Sequence, residues 1–242
     1  MAAAFPRRTN AGRIDRRGFI TGSLALVIAG PAYARRADKS KVINASFDLI
    51  RPSQGAVGMR EVAIKITEVI NLGPKPEKLA KFLLKEALPV VRGPAGGLHL
   101  IDHHHLGRAL WEAKYRTVQV EVVDDLTALA PGDFWAEMEK RRWLHANDAK
   151  GVFVGPDKLP QHVKDMGDDA YRSLAGAVRN AGGYQKTDVP FAEFKWADFL
   201  RVRIPLSTVE RNFDGALKQA LQWARSPDAA FLPGFSGLKK AI

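Results

Sequence analysis

The 242-residue sequence contains no cysteine. A disulfide framework, a thiolate nucleophile and a cysteine-ligated metal are therefore excluded. It also lacks a long apolar run. The best stretch, Phe19 to Gly30, is broken by Thr21, Gly22 and Ser23 and is shorter than the roughly 20 apolar residues a bilayer span requires. Acidic residues are outnumbered, 26 against 37 Lys and Arg, and the net charge of +11 favours anionic partners. No repeat, low-complexity run or long linker divides the chain. What is present is 46% hydrophobic residues, enough for one or two packed domains.

The first 34 residues read as a leader. A basic start precedes the short apolar run, which ends in Ala32-Tyr33-Ala34, the small-x-small pattern of a signal-peptidase site. Asp15-Arg16-Arg17-Gly18-Phe19-Ile20 resembles a twin-arginine export signal, so residues 1–34 are expected to be cleaved and the protein to be periplasmic or secreted. Cleavage removes five basic residues and one acid, leaves a net charge of +7, and leaves no membrane span.

Residues 45–54, ASFDLIRPSQ, form a short extended segment broken at Arg51-Pro52. MREVAIKITEVI at 59–70 is ambiguous, since Val62, Ile64 and Ile66 alternate while Val69 and Ile70 do not. Pro76 opens a helix with Leu79, Phe82, Leu83 and Ala87 at helical spacing. LPVVRG, PAGG and LHLID then predict a hairpin, HHHLGRALWEAK a helix and TVQVEVV a strand. From Pro131 onward four helices are predicted, at 131–144, 168–183, 190–204 and 207–225, with Asp168-Asp169 capping the second and Gly182 stopping it. The fold class is α+β: a small mixed α/β core at 45–130 with a mostly helical C-terminal half, 131–242, packed on it. Phe191, Phe194, Trp196 and Phe199 are read as core, and Lys186, Lys195, Arg201 and Arg203 as a solvated basic rim.

Half of the six histidines stand together as His103, His104 and His105. Adjacent side chains point about 100° apart on a helix and to opposite faces of a strand, so three neighbours cannot hold one ion. A metal would need Asp102, His99 or a distant acid as well. The anion reading needs less. Asp102 is placed to cap the helix, whose free amides and dipole attract phosphate, and Arg108 lies one turn beyond His104. A histidine near neutral pH can also exchange protons. A third reading leaves the histidines merely solvating a loop end.

With these residues in view, the chain resembles the ParB-like nuclease family, a branch of the ParB/sulfiredoxin superfamily. The resemblance rests on Arg51-Pro52-Ser53-Gln54, Val57-Gly58-Met59, Pro89-Val90-Val91, Gly93-Pro94 and Ile101-Asp102-His103-His104-His105. It continues through AYRSLAGAVRNAGGYQKTDVPFAEFKWADFLR at 170–201 and spans roughly residues 47–235. It implies a small α/β core whose turn contacts phosphate, with Asp102, His103, His104, His105 and Arg108 matching that turn. Histidines replace the Glu-Arg-Arg of the partition proteins. The superfamily's peroxiredoxin repair needs a cysteine this chain lacks, and no DNA-reading helix-turn-helix is visible.

The function expected from residues and resemblance is a nuclease or phosphodiesterase. Arg108, the helix start and Arg51 would hold phosphate, while His103, His104, His105 and Asp102 would carry the chemistry. Glu61 would supply a supporting carboxylate and a divalent metal ion could assist. The partner would be a phosphate-containing ligand, nucleotide or nucleic acid; no protein partner is indicated. The alternative is a non-catalytic periplasmic module that binds a nucleotide or other anion at the same turn.

Overall fold

The computed structural model describes residues 38–237; the expected leader and cleavage site lie outside the described residues. The chain runs β1 Val42–Ser46, β2 Ile50–Pro52, β3 Ala56–Val57, α1 Met59–Leu72, α2 Pro76–Lys85, β4 Leu88–Arg92, β5 Leu98–Leu100, α3 His104–Glu112 and β6 Thr117–Asp125. The second half follows with α4 Pro131–Lys140, β7 Gly167–Asp168, α5 Ala170–Asn180, α6 Ala192–Arg201, α7 Leu206–Arg211 and α8 Phe213–Arg225.

Five strands form one mixed sheet in the order β1-β6-β4-β5-β2. The first two strands in sequence occupy its opposite edges, yet only the 3-10 turn Phe47–Leu49 joins them. Four Cα steps reach about 14 Å at most, whereas five flat strands would set their edges about 19 Å apart. The sheet must therefore curl, with Pro52 at the end of an edge strand where its missing N–H costs no ladder bond. The expected hairpin is present: β4 and β5 pair antiparallel, Val90 opposite Leu100.

Residues 59–70, ambiguous by pattern, are helical. Val62 and Val69 are fully buried with Ile66 packed beside them, whereas Ile64 and Ile70 face solvent. Positions 62, 66 and 69 share one helix face, and packing against α3 selects that face over the strand alternation. Leu88, Val90, Leu98 and Leu100 complete this core from the sheet's inner face, while Val91 and Ile101 meet Phe134 and Met138 of α4 on the other.

The helical half has its own core. Trp196 and Phe199 are buried there, Phe194 is buried against His145, and α8 offers Ala216, Ala220 and Ala224 as a smooth stripe. The single helix expected over 207–225 is two: Asn212 interrupts it and its side chain caps α8 by accepting from the Gly215 amide. Gly182, at φ +75°, follows the end of α5 as expected. Backbone pairing stitches the halves together: β3 pairs with β7 in parallel, and His145, bridged opposite Gln54, donates its N–H to the Ser53 carbonyl and accepts from the Gly55 N–H. Among the described residues no helix is long and apolar enough to cross a membrane.

Candidate functional site

The short strand β5 delivers the chain into Asp102 and the histidine run, and the turn is made by His103. Its backbone is left-handed (φ 59°, ψ 26°), unusual for a residue with a Cβ. This corrects the expected cap. His103, not Asp102, occupies the N-cap of α3, and no side chain caps that helix. The left-handed turn holds Asp102 back, so its carboxylate accepts only from the His103 amide, at 2.6 Å. The first-turn amides of α3 consequently have no capping side chain, and such amides are where an anion binds.

The three imidazoles part company at once. His104 is buried, and its Nε2 accepts from the Ser53 backbone N–H at 3.3 Å, with the Ser53 hydroxyl 3.5 Å away. Burial pulls its pKa to about 3, helped by the charges of His103 and His145 and opposed by a bond to the Leu100 backbone. It is a neutral ring that anchors the β2 segment to α3.

His105 turns toward α1. Its Nε2 accepts from the Gly58 N–H at 3.0 Å, and the next two amides of that helix start are also met by side chains. Met59 N–H donates to Asp168 and Arg60 N–H to the Ser173 hydroxyl. Three donors left over at a helix start are thus taken up by α3, β7 and α5. The same His105 Nε2 lies 3.1 Å from Glu61 Oε2. Since that nitrogen takes the Gly58 proton and burial with Arg172 nearby holds the ring well below its usual pKa, His105 is neutral. The carboxylate beside it is balanced by Arg172, whose Nη1 lies 3.1 Å from the same oxygen.

His103 is the member of the run left over. It is half-buried, its Nδ1 is shut from solvent, and that atom finds no protein partner. Glu86 lies nearby, its carboxyl raised by burial but held below the usual range on balance by the Lys85 hydrogen bond and by the fields of His103, Lys85 and Lys65.

The two arginines expected to grip phosphate are occupied by protein. Arg108 pairs with Glu112 at 2.8 Å and donates to the Met166 carbonyl at 2.9 Å. Arg51 Nη1 donates to the carbonyls of Asp48 and Gln161 and meets His162 Nδ1. Glu61, expected as a supporting carboxylate, does reach the histidine turn, at His105.

Two participants carried no local signal in the sequence. Arg172 sits inside the YRSLAG block on α5, with its side chain 9% exposed. Its Nε and Nη1 have no aligned acceptor, although Nη1 is within ion-pair distance of Glu61. His145 stacks on Phe194 at 3.9 Å, and burial with the Arg172 charge lowers its pKa to about 4. Asp169 sets Arg172 in place: Oδ1 caps α5 by accepting from the Tyr171 and Arg172 amides, as expected, and Oδ2 takes a hydrogen bond from Arg201. Among the described residues no three His, Asp or Glu side chains converge as a metal site.

Known proteins provide the comparison. Residues 43–202 match the family described as "Putative ParB-like nuclease", a span from β1 through α6 that includes the whole histidine turn. The crystal structure of protein Atu1540 from Agrobacterium tumefaciens is similar, with 39% sequence identity and a TM-score of 0.75 over 82% of this chain and 99% of that one. No curated protein matches the chain.

Proposed function

Because the chain belongs to the ParB-like nuclease family, we propose that it hydrolyses phosphodiester bonds of nucleic acid at the start of α3. The observation that carries this reading is His103, a left-handed, half-buried histidine with an unpartnered Nδ1 beside an uncapped helix start. The amides at the start of α3 hold the non-bridging phosphate oxygens. A water attacks phosphorus as His103 takes its proton, the bond to the leaving ester oxygen breaks, and that oxygen receives a proton from the imidazolium. His104 and His105 set the geometry, one fixing Ser53 and the other the start of α1.

Purified protein incubated with single- and double-stranded DNA and RNA, with and without Mg²⁺ or Mn²⁺, tests this. Cleavage that falls roughly 100-fold or more in His103→Ala, the lower end for loss of a general acid–base group, supports it. Intact substrate under every condition rejects it.

One observation favours a second reading, a non-catalytic module that holds a phosphate ligand. The Nε2 atoms of His104 and His105 are both spent on backbone amides. That reading expects saturable binding of nucleotides without turnover. In either case we propose that residues 1–34 direct export; changing Arg16 and Arg17 together to Lys should then retain the protein in the cytoplasm.

A further inference from the structure

Arg172 is a buried cation with an unused edge. Its side chain is 9% exposed, and Nη1 lies 3.1 Å from Glu61 Oε2. Nε is shut from solvent without a hydrogen-bond partner, while Nη2 is not shut from solvent and forms no hydrogen bond among the described residues. In a guanidinium the N–H bonds of Nε and Nη2 point the same way and make a fork that receives two oxygens of one anion. Glu61 therefore takes one corner of the group and leaves this fork free. A charged donor left unpaired in the interior costs more than a neutral one, so the fork is a feature that calls for a ligand.

The surroundings hold the fork in place without filling it. Asp169 fixes the start of α5 by accepting from the Tyr171 and Arg172 amides. The guanidinium carbon lies 5.4 Å from the centroid of the Phe194 ring. Glu193, one residue before that ring on α6, is tied to Arg179 instead. His145 packs on the same Phe194 ring, with 3.9 Å between centroids. It is half-buried, and its ring nitrogens form no hydrogen bond among the described residues and are not shut from solvent. Phe191 lies against His145 at 5.1 Å, from a left-handed backbone (φ 57°) that is rare for so bulky a residue. Strain of this kind concentrates where a ligand is held.

We propose that the Nε–Nη2 fork of Arg172 is a subsite for a phosphodiester group of the nucleic acid, with His145 beside it adding an N–H donor. A phosphodiester carries two non-bridging oxygens, the number the fork can hold. It also carries a single negative charge. Glu61 already balances the cation, so a singly charged group fits here better than a doubly charged monoester. The subsite gives the helical half a direct part in gripping the strand whose cleavage is assigned to the start of α3. Naming nucleic acid as the ligand rests on that reading; the free fork does not.

The test is titration of the full chain with the dinucleotide dTpdT, in the native protein and in His103→Ala, which does not turn it over. The readout is the Arg172 Nε–H signal in ¹H–¹⁵N NMR, assigned through its own side chain. Saturable binding should move this signal in both proteins. The neutral methylphosphonate analogue, with a methyl in place of one non-bridging oxygen, should leave it in place and bind about tenfold more weakly, the worth of one charge-assisted hydrogen bond. Arg172→Lys keeps a cation beside Glu61 but has no fork, and should bind dTpdT about tenfold more weakly as well. Absence of saturable binding, an Arg172 signal unmoved at saturation, or equal movement with the methylphosphonate overturns the subsite. The native signal decides this even where Arg172→Lys fails to fold. Movement of the signal in a chain that cuts no nucleic acid supports the subsite and rejects the hydrolysis, whereas cleavage lost in His103→Ala with the native signal unmoved does the reverse.

Discussion

Glu61 of α1 and Arg172 of α5 meet with 3.1 Å between Oε2 and Nη1, and their side chains are only 17% and 9% exposed. The pair joins the α/β core to the helical half and sits directly beneath His105. Removing one partner strands the other charge in the interior. Arg172→Met is therefore expected to cost about 3–5 kcal/mol in urea unfolding, with much of the loss recovered when Glu61→Gln is added. A single variant within 1 kcal/mol of native, on the order of a neutral surface change, would show that the pair is solvated.

Gly176 makes that pair possible. A Cβ there would lie 1.6 Å from Glu61 Oε1, closer than any relaxation short of moving Glu61 allows. Gly to Ala inside a helix ordinarily stabilises by about 1 kcal/mol. At position 176 the sign should reverse, with a loss of about 2 kcal/mol or more as the carboxylate is pushed from Arg172. Thermal unfolding of Gly176→Ala decides it.

His103 should show opposite effects on stability and activity. Its left-handed backbone costs about 1–2 kcal/mol for a residue with a Cβ. His103→Gly should raise the unfolding midpoint while abolishing cleavage, and His103→Asn should keep the backbone and lose activity alike. A destabilised His103→Gly would mean that the ring is packed for structure.

Acid should unfold the protein through its histidines. Burial first of all holds His104 to about 3, His145 to about 4 and His99 to about 4, against an ordinary value of 6.5. The unfolded chain thus binds protons that the folded chain refuses. The stability these groups contribute is complete above pH 6.5 and is lost as pH falls from there toward 4. Each adds a slope of about 1.4 kcal/mol per pH unit. Between pH 6 and 5, where carboxylates remain ionised, urea midpoints should drop steeply, and His104→Gln should flatten the fall. A profile level from pH 7 to 5 would contradict the buried, neutral placement of these rings.

The legible parts were those with a local physical cause. Two short apolar runs around a Gly-rich turn marked the β4–β5 hairpin, Pro76 marked the start of α2, and Asp169 and Gly182 marked the two ends of α5. Residues 59–70 were not legible, because β-branched residues satisfy a strand pattern and a helix pattern equally until α3 supplies the surface to be buried. Asn212 was hidden inside a good helical stripe. In the site, adjacent histidines could be seen to diverge. Their destinations could not be seen, since Ser53, Gly58 and Glu61 lie some 50 residues away along the chain.

Composition and short-range pattern by themselves determined that the chain works without thiol chemistry, folds as a mixed core followed by helices, and carries a histidine run at the start of a helix. Those properties depend on residues within a turn or two of one another. Tertiary structure alone decided which histidine is spare, that Arg51 and Arg108 are spent on protein acceptors, and that Arg172 and His145 join the turn. A buried polar group takes whatever partner folding brings within 3 Å, and that partner's distance along the chain leaves no mark on the local sequence.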